Sequence, residues 1–198
     1  MSCQVEHARV ATRSGTAVLR DLESRDIAAI VSYWHGGDAD FFTMNVDTAK
    51  LGTPEDTHRR FQASLRGSDP NQQRIGFAID LDGQMVGYTV LSQHDPETNY
   101  SHWHIVAKHK RIGGLSTALY PHRIKAYFET SAIQRLIHQT SVRNTGVNRM
   151  LDRYVPVAET RWVEQLDGAG APGDYLLRYV RREDIPRLFA RAAELARQ

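Results

Sequence analysis

Cysteine is almost missing from this chain: 198 residues contain one, Cys3. A single thiol near one end closes no disulfide within the chain, so a reducing cytoplasm is the expected setting. An excess of charge of one sign is also missing. Twenty-five basic side chains stand against 23 acidic ones, a formal net charge of +2. Proteins that neutralise many nucleic-acid phosphates usually carry a larger and clustered excess. No apolar run approaches the ~20 residues that a membrane-crossing helix needs. The opening MSCQVEHARV lacks the basic-then-apolar order of a signal peptide, so membrane-spanning and extracellular roles are not expected. Lysine is scarce too, at 4 against 21 arginines, a bias that suits arginine-dependent recognition but that codon usage explains more simply.

What is present is a globular composition, 41% hydrophobic and 24% charged, long enough to bury one core. No repeat or linker divides it. A strand is expected over 17–22 and a helix from Ser24 to about His35, with Ile27, Ile30, Val31 and Trp34 at helical spacing. A loop or broken helix over 36–52 contains Phe41, Phe42 and Met44. Thr53-Pro54-Glu55-Asp56 is a strong helix start, by hydroxyl cap, first-turn proline and acids at the positive end. That helix should reach about Arg66. Two strands, Arg74–Asp80 and Met85–Ser92, flank a Leu81-Asp82-Gly83 turn. Further strands are expected at Tyr100–Val106, Arg135–Ser141, Val157–Gln165 and Asp174–Val180. Helices are expected at Gly114–Glu129, at Thr145–Arg153 and after Asp184. The order implies a mixed sheet with helices on its faces, an α/β (α+β) domain. Residues 1–16 read as an extension, 17–182 as the domain, and 183–198 as an amphipathic helix packed on it.

Gly168-Ala169-Gly170-Ala171-Pro172-Gly173 is a literal G-x-G-x-x-G. The dinucleotide motif needs a helix after it to receive the pyrophosphate. Here a strand, DYLLRYV, follows, so the segment reads as a hairpin loop. The stretch 100–120, YSHWHIVAKHKRIGGLSTALY, is more informative. A strand ends at Val106, Lys108, His109, Lys110 and Arg111 gather positive charge, and glycines lead into a helix whose first N–H groups are free. On its own this suits either a phosphate site or an ordinary strand–loop–helix connection.

With these residues in view, the chain resembles the GNAT superfamily of acyl-CoA-dependent N-acyltransferases. The family motif sets a valine at a strand end and, five residues on, R-x-x-G-x-G/A; here these are Val106, Arg111, Gly114 and Ser116. Leu19-Arg20-Asp21-Leu22 through Asp26 is similar to the branch that acetylates ribosomal-protein N-termini, and Asn144 matches an asparagine after the family's fifth strand. The resemblance spans roughly 17–182. It implies a single GNAT-like domain with a mostly antiparallel sheet, splayed central strands and helices on both faces. It further implies acetyl-CoA or another acyl-CoA as co-substrate, with the Ile105 and Val106 backbone pairing with the pantetheine arm. The amides of Arg111, Ile112, Gly113, Gly114, Leu115 and Ser116 would hold the pyrophosphate, and Asn144 would contact the arm. Three departures stand out: Ser116 replaces Gly or Ala, Leu151 replaces a tyrosine general acid, and Val155-Pro156 replaces Gly-Phe.

Acyl transfer to an amine needs an acceptor for the amine's proton. Period 2 puts Tyr100, His102, His104 and Val106 on one strand face, and histidine titrates nearest neutrality. Some superfamily members carry histidines four and six residues before the motif valine, where this chain has His102 and Tyr100. His102 is thus the expected base, with His104 and Tyr100 as relay or positioning groups; half-buried strand histidines are the plain alternative. A metal is not expected, because H-x-H offers two ligands and no third stands at a recognisable spacing. Tyr154 is either a displaced acid or core. Trp34, Phe41 and Phe42 either wall the acceptor site or pack as core. Arg178, Arg181 and Arg182 read as a solvated strand end.

The expected function is N-acyl transfer by direct attack in a ternary complex, since the lone cysteine offers no covalent relay. The acceptor is a small-molecule amine or a protein N-terminus. Two rivals stay open: acetylation of charged tRNA, against which the small net charge speaks, and a non-catalytic CoA-binding module. A homodimer is possible.

Overall fold

The computed structural model describes residues 5–37, 39–65, 74–93, 95, 97–106, 114–164 and 169–197. Eight strands form one sheet: β1 (Glu6–Thr12), β2 (Gly15–Asp21), β3 (Arg74–Leu81), β4 (Gln84–Gln93), β5 (Thr98–Ile105), β6 (Arg135–Ser141), β7 (Glu159–Val163) and β8 (Gly173–Arg181). Their order is β1-β2-β3-β4-β5-β6-β8-β7. Every neighbouring pair is antiparallel except β5 with β6. The helices are α1 (Ser24–His35), α2 (Phe41–Met44), α3 (Pro54–Gln62), α4 (Leu115–Thr130), α5 (Thr145–Leu151) and α6 (Ile185–Ala196).

Local chemistry accounts for many of the boundaries. Asp82 and Gly83 both take positive φ, 49° and 81°, which is the backbone a two-residue hairpin demands. At α3, Thr53 and Asp56 cap each other reciprocally and Pro54 opens the first turn. The helix ends at Gln62, short of the expected Arg66, which lies outside the described residues. The start of α1 is capped by Glu23 rather than Ser24: Asp26 accepts the Glu23 N–H at 2.8 Å. Within the segment read as an extension, residues 6–12 form the edge strand β1, paired antiparallel with β2.

Two apolar layers sandwich the sheet. On one face α4 and α6 pack over Leu19, Phe77, Ile79 and Leu136. On the other, α1 and α3 bring Ile27, Ile30, Tyr33 and Phe61 onto Ala78, Tyr88 and Val90. Arg20, 2% exposed, ties these parts together: it grips Asp26 of α1 at 2.7 and 2.8 Å and Asp80 of β3 at 2.8 and 3.0 Å. The Gly-Ala-rich segment connects antiparallel β7 to β8 and docks on the 45–47 turn, with the Asp47 N–H donating to the Ala169 carbonyl at 2.7 Å. Its described residues 169–172 lead into the strand β8 and not into a helix, as the context implied; Gly168 lies outside the described residues. Arg178 corrects the expectation of a solvated strand end. It is fully buried and donates to Asp152 at 2.6 Å and to Asn148 at 3.2 Å, because its alternate of the β8 pleat faces inward.

Candidate active site

The site grows from the one parallel junction. β5 and β6 register at only three pairs, Thr98 with Arg135, Asn99 with Leu136 and Tyr100 with Ile137. Beyond Tyr100, β5 continues against β4 alone and β6 against β8 alone. Among the described residues the flank of β5 from Ser101 onward therefore has no strand partner on the β6 side, and those backbone groups need some other partner. Gly87 lets β4 follow β5 to this end: a Cβ there would meet the His104 carbonyl oxygen at 2.6 Å. Ile105 packs toward the α4 layer and Val106 toward the α1 layer, with the Val106 N–H held by the Val86 carbonyl at 2.9 Å.

Across the wedge, Gly114 caps α4 in the left-handed region at φ 86°, where a side chain would be strained. Leu115 is buried beneath it and Ser116 is half-buried. Arg111, Ile112 and Gly113, with the Lys108–Lys110 charges, lie outside the described residues. Asn144 is the cap of α5, its side-chain oxygen accepting from the Val147 N–H at 3.3 Å.

His102 and His104 share a face but not an environment. His104 is half-buried in an aromatic cage: stacked on Tyr88 at 4.9 Å, edge-on to Trp34 at 5.0 Å, and 3.4 Å from the Tyr33 hydroxyl. Burial, then His102 and Arg74, push its pKa down to about 3. His102 is exposed within the cleft and, among the described residues, its ring has no hydrogen-bond partner. Crowding by protein, then Arg74, Arg123 and Arg60, lower its pKa toward about 4. Solvent at the exposed edge works the other way, so the ring sits between that value and its ordinary 6.5 and is neutral at pH 7.

Trp34, which lies beside His104, donates to the Tyr88 hydroxyl at 2.6 Å and stacks on Phe41 at 6.1 Å. Phe42 points away, 75% exposed, beneath the Arg143 guanidinium at 5.0 Å. Tyr100 lies on the same face as His102, at the last β5–β6 pair. Among the described residues no group of three metal-ligating side chains converges.

Under β5 lies a residue that the sequence reading missed. Arg123 of α4 is 1% exposed, stacks on Trp103 at 4.4 Å and on Tyr120 at 5.3 Å, and has no carboxylate partner among the described residues. An arginine inside the apolar stripe Tyr120, Ile124 and Tyr127 was the available signal. Beside it, the Tyr120 hydroxyl and His138 Nε2 are 2.9 Å apart. Pro121 sits within the continuous helix α4 and lacks the N–H that would bond Thr117. The Tyr154 hydroxyl donates to that freed Thr117 carbonyl at 2.7 Å. Tyr154 is 3% exposed, and Leu151 is 1% exposed. The phenol is thus engaged in repairing a proline gap, and burial pushes its pKa up to about 12.

These histidines make stability depend on pH. Burial, then Arg123 and Arg178, hold the His138 pKa well below 6.5, and His104 is held down likewise. The unfolded chain binds protons at these positions below its ordinary pKa while the native state does not, so acidification favours unfolding. At ~1.4 kcal/mol per unit for each group, we expect a loss of about 2–4 kcal/mol between pH 6.5 and 5. Urea unfolding midpoints at the two pH values check this, and a flat profile would contradict it.

A parallel strand junction that opens beside a glycine-capped helix is the arrangement shared with acyl-CoA-dependent acyltransferases of this fold. The chain belongs to the GNAT acetyltransferase family: the family's acetyltransferase (GNAT) domain matches residues 17–154. Its activity class is acyl-CoA-dependent N-acetyl transfer. Among solved structures, Mycobacterium smegmatis RimJ in complex with CoA-disulfide matches with a TM-score of 0.74 at 20% identity, over 96% of this chain and 94% of that one. RimL, the ribosomal L7/L12 alpha-N-protein acetyltransferase, in complex with coenzyme A gives 0.68 at 13%, over 88% and 98%. The aminoglycoside acetyltransferase AAC(6')-Ib with coenzyme A and kanamycin gives 0.65 at 15%, over 86% and 98%. These likenesses are of fold. Curated proteins give no significant match. Among the described residues, no helix is long and apolar enough to cross a membrane.

Proposed function

We propose that the protein moves an acetyl or other short acyl group from acyl-CoA to a primary amine, by direct attack, with His102 as the base. The observation that carries this reading is the placement of an exposed, neutral imidazole that, among the described residues, has no hydrogen-bond partner, beside the flank of β5 that leaves β6. The residues present suit the co-substrate. Among the described residues the backbone of β5 from Ser101 to Ile105 has no strand partner on the β6 side and can receive an extended arm, while the Val106 N–H stays with Val86; a Cβ on Gly114 would meet none of the described atoms at the start of α4.

A thioester supplies an activated carbonyl: the amine nitrogen forms the C–N bond and the C–S bond breaks. His102 takes the proton that the amine loses, directly or through one water, and returns it to solvent or to the departing thiolate. His104, locked among Tyr33, Trp34 and Tyr88, positions the strand and shapes the acceptor wall with Phe41. With Leu151 at the family's tyrosine position and Tyr154 engaged at Thr117, neither serves here as acid to the thiolate. Support for an amine acceptor comes from structural neighbours whose names specify ribosomal-protein, spermidine and aminoglycoside acetyltransferases.

The test is acetyl-CoA binding followed by turnover. At a hundredfold excess over Kd, ligand binding adds about 2.7 kcal/mol, a rise in Tm of roughly 5–10 °C for a chain of this size. Release of the CoA thiol should follow with at least one member of a panel of amines and peptides. No thermal stabilisation would remove the co-substrate from the reading. Stabilisation with no thiol released from any acceptor would favour a non-catalytic CoA-binding module.

A further inference from the structure

Over the sheet face that carries His102 lie two arginines, Arg74 of β3 and Arg60 of α3, that form no ion pair among the described residues. Arg74 opens β3 in register with Ser92, which registers with Tyr100, two residues before His102. Strand spacing sets the Arg74 and His102 Cα atoms about 12 Å apart, a gap that one extended arginine and a small ligand span together. Arg60 descends from α3 to the same place. The guanidinium carbons of both lie 5.8 Å from the centre of the Phe61 ring. Phe61 packs edge-on against Tyr88 at 5.2 Å, and Tyr88 stacks on His104.

Both arginines are half-buried, and the Nε of each is buried without a hydrogen-bond partner. Among the described residues neither makes an ion pair. Asp56, one turn before Arg60, is held instead by Thr53 in the helix cap. Two like charges on one ring repel, and each gives up solvation that no carboxylate among the described residues returns. Burial and Arg60 accordingly push the Arg74 pKa down to about 10. Arg20, a few residues away on the same face, shows the fold's own remedy, two carboxylates. A guanidinium pair that finds no such remedy among the described residues, beside a cleft, is arranged to receive an anion from outside.

We propose that Arg60 and Arg74 form an anion subsite in the acceptor half of the cleft, so that the preferred acceptor bears a carboxylate close to its amine. The acceptor is then an amino acid or an acidic peptide N-terminus, and polycationic amines are disfavoured. This rests on the transferase reading above for the word acceptor, but the subsite can be tested by binding alone.

The experiment is calorimetry on the full chain saturated with CoA. The probes are C-terminally amidated Glu-Glu-Ala-Ala, Gln-Gln-Ala-Ala and Lys-Lys-Ala-Ala, together with free glutamate. The Glu peptide should bind at least tenfold more tightly than the Gln peptide, and the Lys peptide most weakly. Free glutamate exceeding the Glu peptide would assign an amino acid; the reverse would assign a peptide terminus. Arg60→Gln and Arg74→Gln should each erode the Glu-over-Gln ratio about tenfold while leaving CoA affinity unchanged. Equal binding of the three peptides, no binding of either acidic probe, or a ratio insensitive to both substitutions would overturn the subsite. Charge preference in binding without turnover of any probe would leave the subsite standing and count against the transferase reading. Turnover without charge preference would do the opposite.

Discussion

His102→Gln is expected to lower kcat about 10²-fold, with acetyl-CoA affinity unchanged. General-base catalysis contributes ~10²–10⁴, and the lower end applies because the lowered pKa weakens the base. The same lowering keeps the imidazole in its proton-accepting form throughout the neutral range. The wild-type profile of kcat against pH should therefore show no inflection at 6.5 and should rise only as the acceptor amine loses its proton. In the variant the deficit should be largest for strongly basic amines and shrink for weakly basic ones, which lose a proton to water more readily. His104→Gln should act differently, raising the acceptor KM and lowering stability, because it opens a cage made by Tyr33, Trp34 and Tyr88. Wild-type kcat in His102→Gln, with CoA still bound, would remove this residue from the mechanism.

Arg20→Met is expected to cost about 3–5 kcal/mol of stability, the usual result of removing one side of a buried ion pair. The substitution fills the space but strands two acids, Asp26 at 4% exposure and Asp80 at 8%. For a chain of this size the loss corresponds to a fall in Tm of roughly 8–15 °C. The triple variant Arg20→Met, Asp26→Asn, Asp80→Asn should recover much of it, because no uncompensated charge remains. Recovery should be incomplete, since Asp26 also accepts the Glu23 N–H that starts α1. Thermal unfolding of the three proteins checks both statements; a loss below ~1 kcal/mol in Arg20→Met would contradict the pairing argument. Activity should fall with stability, because this cluster joins β2, β3 and α1 and so aims Tyr33 and Trp34 at His104.

The acceptor wall shows how far residue patterns reach. Phe41 and Phe42 are neighbours in the sequence, and their pattern suits either an acceptor wall or core. Only Phe41 stacks on Trp34, whereas Phe42 turns to solvent under Arg143. Adjacent residues on a short helix point some 100° apart, and the pattern carries no information on which of the two meets the core. The edge strand β1 was missed for a related reason. Its residues EHARVAT alternate weakly between half-buried and exposed, so no sharp apolar face marks it.

Features set by neighbours in the chain were legible from the amino-acid sequence alone: the Asp82-Gly83 turn, the Thr53–Asp56 cap, the strand that ends before Val106 and the helix that starts after Gly114, and the shared face of His102 and His104. Each follows from backbone sterics, local hydrogen bonds or period 2, which act over a few residues. Only the tertiary structure decided which arginines are buried and which histidine is free. Arg20 meets Asp80 across 60 residues and Arg178 meets Asp152 across 26. His104 is enclosed by side chains from α1 and β4, while His102, two residues earlier, keeps its solvent. Desolvation and pairing depend on what else arrives at a point in space, and that is fixed by the packing of elements distant in the chain.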